Sequence, residues 1–103
     1  MGFFRKILDA MHADYDPVGA KRLAYLLIAE IRLYEPHKLR RGKDSNDILG
    51  ELNIEISSAR NRFLEVHPQD EAAKIFDELL LEMLADGDPT KMGKIPQIGL
   101  SVS

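Results

Sequence analysis

Three histidines, two of them set at matching breaks in the chain, are the residues whose type and spacing first suggest chemistry. Glu35-Pro36-His37 and Glu65-Val66-His67 each close an apolar run, and the residues ahead of them rhyme, Arg32-Leu33-Tyr34 with Arg62-Phe63-Leu64. Carboxylate and imidazole so close together suggest a divalent metal site. Helices joined by a short connector run antiparallel, however, which puts the two ends at opposite poles of a bundle, so ligation would need a second subunit. The plainer account is that His37 and His67 suit helix C-termini, where partial negative charge favours a cation. A di-iron carboxylate bundle wants Glu-x-x-His pairs on facing helices, and the chain has none. Ser45, Ser57, Ser58, Ser101 and Ser103 lack a nucleophile elbow, and no Gly-rich phosphate loop occurs. Asp86-Gly87-Asp88 matches part of a calcium loop without the remaining ligands or the closing Glu, and helix capping accounts for it. The expectation is therefore a protein that is not an enzyme, with no catalytic residue, cofactor or metal assigned.

Composition points the same way. At 103 residues with 45% apolar and 30% charged side chains, the chain has room for one domain and one core. Folding at this size hides roughly 60 to 70% of the unfolded surface. Cysteine is absent, which excludes disulfides, thiolate metal sites and Cys nucleophiles. No apolar run approaches the ~18 residues of a membrane span, and Met1 to Met11 lacks the apolar core and cleavage site of a secretion signal. A cytoplasmic protein is expected, with peripheral attachment to a membrane-associated complex left open.

The net charge of −3 divides unevenly: residues 1–45 carry +3 and residues 46–103 carry −6. Such halves attract, as antiparallel helices of opposite charge would. With a pI near 5.6, the chain is not expected to bind nucleic acid.

Periodicity lays out the elements that must position any site. Residues 1–15 hold a short amphipathic segment, with Phe3, Phe4, Ile7, Leu8 and Met11 on one arc and Arg5, Lys6, Asp9 and His12 on the other. It is too short to be a stable helix alone, so it docks on its own bundle, on a partner or on a lipid surface. Asp16-Pro17 starts the next helix, running to about Tyr34. Its main apolar face is Leu23, Ala24, Leu27, Ile31 and Tyr34, widened by Leu26 and Leu33, with Lys21, Tyr25, Arg32 and Glu35 opposite, which predicts a central helix touched on two sides. Glu30 falls between the edges of that arc and is expected to be buried with a partner.

The connector Glu35 to Lys43, with room for a single helical turn after Pro36 and an expected stop at Gly42, contains Lys38, Arg40, Arg41 and Lys43, readable as a patch for phosphate or an acidic partner surface, or as a solvated loop. Asp44 or Ser45 is expected to cap a third helix to about Val66, with the stripe Ile48, Leu49, Leu52, Ile56, Ala59, Phe63 and Val66. Arg60 borders that stripe and is the expected inter-helix partner of Glu30. A fourth helix spans about Pro68 to Asp86, with Ala72, Ala73, Ile75, Phe76, Leu79, Leu80, Met83 and Leu84 on one arc and Leu81 facing the polar side; Gly87 then ends it. After Gly93, Ile98, Leu100 and Val102 alternate with other residues, a pattern suited to strand addition at another protein's sheet edge or to a loose terminus.

From Ala20 onward the chain resembles a helical module of delta-proteobacterial and acidobacterial proteins. The resemblance is carried by Ala20-Lys21-Arg22-Leu23-Ala24, Ala29-Glu30-Ile31-Arg32-Leu33-Tyr34, Gly42, Asp47-Ile48, Ile56 to Phe63 with Ser58 and Arg60, Leu84 to Pro89, and Met92-Gly93. In that family the module looks appended near zinc-ribbon, PilZ-like or response-regulator regions. The resemblance implies a bacterial origin and a protein-interaction or signalling-accessory role, and it supplies no catalytic residues. It also keeps the Glu and Arg expected to pair as Glu30 and Arg60.

The expectation is an all-α antiparallel bundle of three long helices over residues 16–93, preceded by the amphipathic segment 1–15 and followed by the extended tail 94–103. Its function is expected to be non-catalytic protein interaction or self-association. Phe3, Phe4, Ile7, Leu8, Met11, Ile98, Leu100 and Val102 would form the interface; the alternative is a signalling adaptor acting through the basic connector.

Overall fold

A computed structural model describes residues 15–93 as five α-helices followed by one 3₁₀ turn. The helices are α1 (Pro17–Tyr34), α2 (Pro36–Ser45), α3 (Ile48–Glu51), α4 (Asn53–Val66) and α5 (Asp70–Ala85), and the 3₁₀ turn is Pro89–Lys91. The fold is all-α, as the periodicity predicts. The candidate interface residues of segments 1–15 and 94–103 lie outside the described residues.

α1 begins where Asp16 accepts a hydrogen bond from the Gly19 N–H at 2.9 Å, with Pro17 at the first helical position. Its inner face, Ala20, Ala24, Leu27, Ile28 and Ile31, is buried against α5 and α4. α4 runs antiparallel to α1, because Arg62 lies beside Glu30 and Glu55 lies beside Lys38, just past the end of α1. α5 in turn runs antiparallel to α4. Phe63 and Phe76, both fully buried, meet with ring centroids 5.2 Å apart, and Arg60 pairs with Asp77 one residue further along α5. α5 therefore runs in the same sense as α1. Truncating either of two such buried rings to Ala costs about 3 to 5 kcal/mol, because the transfer term adds to an unfilled cavity.

The connector proves to be the helix α2 rather than a loop. Gly42 does not stop it: the helix continues to Ser45, whose hydroxyl donates to the Arg41 carbonyl at 2.8 Å, and ends at Asn46 in the left-handed region (φ 56°). Asp44 and Ser45 are therefore inside α2, and the cap of the next helix is Asp47, accepting from the Gly50 N–H at 3.1 Å. What reads as one third helix bends at Leu52 into α3 and α4, although the Leu52 and Ile56 N–H groups keep bonds of 2.9 and 2.8 Å across the bend. α5 starts at Asp70, two residues later than expected. The 3₁₀ turn returns to α3 through the Leu49 N–H donating to the Met92 carbonyl at 2.9 Å.

The projections overstate the core. Leu26, Leu33, Tyr34 and Val66 are exposed, whereas Leu81, assigned to the polar side, is half-buried against the core. α4 and α5 occupy only the inner half of α1, so the edges of its wide apolar arc remain bare.

The expected buried pair between Glu30 and Arg60 does not form. Glu30 has a 54% exposed side chain facing Arg62 at 3.8 Å, and Arg60 pairs with Asp77 while lying 5.8 Å over the Phe76 ring. α4 is rotated so that Arg60 serves the interface with α5 and Arg62 the one with α1. Both pairs are solvated, worth about 0 to 1 kcal/mol each.

Gly42 is buried where α2 passes α3, and a Cβ there would lie 2.7 Å from the Ile48 Cα. Gly42→Ala improves helix propensity by about 1 kcal/mol, but the contact is with backbone, so the two helices must separate. Against backbone the steric cost lies at the upper end of about 1 to 3 kcal/mol, so a net loss of about 1 to 2 kcal/mol is expected, read as a clear fall in Tm by circular dichroism; an unchanged or raised Tm contradicts the close approach.

Candidate functional site

The 18 residues of α1 are enough for two faces. Away from the buried inner face stand Val18, Tyr25, Leu26 and Leu33, at 66, 53, 55 and 69% exposure. On the helical projection these four and the half-buried Ala29 fall within an arc of about 100°, opposite the inner face, in a stripe about 23 Å long. The start of the stripe is a shallow, open, apolar groove. Pro17, Val18, Tyr25, Leu26 and the stems of Lys21 and Arg22 line it, and Ile75 of α5 forms one wall. A small-molecule site normally encloses most of its ligand; this strip is open along its length.

Arg62 stands beside Glu30, and one turn further along each antiparallel helix Val66 and Leu26 reach the same level, both exposed. Tyr34 lies exposed at the far end of α1.

Of the basic connector residues, three are held by the chain's own carboxylates. Lys38 meets Glu55 at 2.6 Å, Arg41 meets Glu51 at 3.2 Å and Lys43 meets Asp86 at 3.2 Å. Among the described residues only Arg40 of the four has no such partner. Coiling into α2 directs these side chains to α3, α4 and the end of α5, which is how the opposite charges of the two halves meet. The hydrogen bond to Lys38 holds the Glu55 carboxyl below its ordinary value, and the bond to Glu55 raises the Lys38 ammonium above its own.

The other chemical candidates are dispersed. His37 sits in the first turn of α2, not at a helix C-terminus as expected, while His67 ends α4 and packs on the Phe63 ring at 5.4 Å. Among the described residues no cluster of three metal-ligating side chains forms. Asp86 and Asp88 act as caps: Asp86 adopts the left-handed conformation that ends α5, and Asp88 accepts from the Thr90 hydroxyl and N–H at 2.7 and 3.0 Å. These bonds to Thr90 lower the Asp88 carboxyl. Tyr15, half-buried against the core, has its hydroxyl pushed up by burial and by the charges of Glu71 and Asp16.

The outer stripe is what the sequence reading missed. Tyr25 was placed on the polar side and Leu26 and Leu33 at the margins of the core. The available signal was that α1 has more apolar positions than a single face can hold, with Val18, Tyr25, Ala29 and Leu33 returning at spacings of seven, four and four.

No protein-family model, curated protein or solved structure matches this chain. Among the described residues no helix is long and apolar enough to cross a membrane.

The Lys38–Glu55 bond has a signed pH dependence. Glu55's contribution to stability is present above 4.5 and is lost as pH falls through its lowered midpoint; Lys38's is present below 10.5 and is lost as pH rises through its raised midpoint. A carboxyl NMR titration should place Glu55 below 4.5, and Lys38→Met should return it toward that value. A midpoint that ignores the substitution removes the bond from solution.

Proposed function

We propose that this chain is a non-catalytic protein-interaction module whose docking surface is the outer face of α1. The observation that carries this reading is the stripe Val18, Tyr25, Leu26 and Leu33, each more than half exposed on a helix whose opposite face is fully used by the core. Covering side chains of this size contributes on the order of 1 kcal/mol each, about 4 kcal/mol for the stripe, at the lower end of the cost of association. A lone apolar residue on a surface has no such meaning; four in line along one helix do.

The resemblance of Ala20 to Gly93 to bacterial modules supports the further reading of an accessory or structural subunit of a larger bacterial assembly, in the cytoplasm or peripheral to a membrane-associated complex. Phe3, Phe4, Ile7, Leu8, Met11, Ile98, Leu100 and Val102 remain additional docking candidates by sequence pattern. The adaptor alternative, with the basic connector meeting an acidic or phosphorylated partner, has less support, since Lys38, Arg41 and Lys43 would have to leave Glu55, Glu51 and Asp86.

Native mass spectrometry of the untagged chain in its host extract tests the reading. The chain is expected in a complex of defined stoichiometry that Val18→Asp with Leu26→Asp abolishes while the melting temperature is kept. A chain found only alone, or a complex indifferent to both substitutions, overturns it.

A further inference from the structure

Along α1 the residues Val18, Arg22, Leu26, Glu30 and Tyr34 form one row at four-residue spacing, all exposed. Read from either end the row is apolar, charged, apolar, charged, apolar, with Leu26 at its centre, and the two charges are opposite. Such a row complements its own reverse. When two helices cross with their four-spaced ridges aligned, at about −50°, the rows lie side by side, and in the antiparallel sense the plus of one meets the minus of the other. We infer that the outer face of α1 pairs with the same face of a second copy of this chain about a two-fold axis near Leu26, with Arg22 of each copy opposite Glu30 of the other.

The neighbouring row makes room for this. Tyr25, Ala29 and Leu33 run parallel to the first row, and Ala29, the smallest of the three, lies beside Leu26 at the centre. The furrow between the rows accepts the copy's ridge there, with Tyr25 and Leu33 as walls. A two-fold contact uses each residue twice, so the short stripe is covered on both copies at once. Among the described residues Glu30 has only the long, exposed contact to Arg62 at 3.8 Å, and Arg22 has no ion pair. Neither charge must abandon a strong partner. A head-to-head parallel copy would set Arg22 against Arg22 and Glu30 against Glu30, and is disfavoured by like charge.

This inference rests on the proposed docking face and adds its occupant. The test is sedimentation equilibrium of the full chain with two charge reversals. The wild type should show a reversible monomer–dimer equilibrium, of the moderate strength expected for a small interface. Arg22→Glu and Glu30→Arg should each weaken it about tenfold or more, since like charges are brought together twice in the two-fold contact, and Leu26→Asp should do the same by setting two carboxylates face to face on the axis in place of an apolar contact. Mixing the Arg22→Glu chain with the Glu30→Arg chain should restore association as a heterodimer, which a general loss of stability cannot produce; circular dichroism checks that each variant is folded.

A monomeric wild type at all concentrations overturns the self-pairing, as does a dimer unaffected by the reversals or a mixture that fails to recover. A monomer that loses a different protein on Leu26→Asp overturns the self-pairing alone and leaves the docking face standing. A monomer whose melting temperature falls sharply on Leu26→Asp shows the face covered by the chain itself and overturns both.

Discussion

The burial of one side of α1 against α4 and α5 is the contact from which the other relations in the bundle follow. Ala20 and Ala24 are fully enclosed there and present almost no side chain, which allows the partners to lie close, while Leu27, Ile28 and Ile31 complete the buried face. Because the two partners enter on one side, α4 is left with a flank toward α1 and another toward α5. Arg62 therefore meets Glu30 while Arg60 meets Asp77. The Phe63 and Phe76 rings close the angle between α4 and α5.

The same constraint makes α2 and α3 necessary. α1 and α4 are antiparallel, so the chain must reverse between Tyr34 and Asn53, and it does so with a helix and a single helical turn. Gly42 permits their close contact, Asn46 supplies the left-handed corner and Asp47 caps the turn. The positive charges of α2 are thereby brought against Glu51, Glu55 and Asp86, which converts an apparent binding patch into internal pairing. Among the described residues the apolar outer stripe of α1, Val18, Tyr25, Leu26 and Leu33, stays exposed.

Much of the architecture was legible because it depends on local periodicity. The ends of α1 followed from Asp16, Pro17 and Pro36, and the inner residues of α4 and α5 followed from three- and four-residue spacing. The assignments that failed concern relations between helices. Leu26 and Leu33 have core chemistry, and nothing in α1 alone says whether a helix covers them. Glu30 and Arg60 have complementary charge, and nothing in their spacing says which way α4 is rotated.

By itself the sequence determined an all-α chain with one core, the capped limits of α1, the stop at Asp86 and Gly87, and the electrostatic attraction between its halves. These follow from propensities, caps and charges that act within a few residues or through net sign. The tertiary structure decided which of α1's two apolar sides is spent on stability, which carboxylates neutralise Lys38, Arg41 and Lys43, and that Arg60 belongs to Asp77. The physical reason is that rotation about a helix axis is set by packing summed over several partners at once, and no single helix contains that sum.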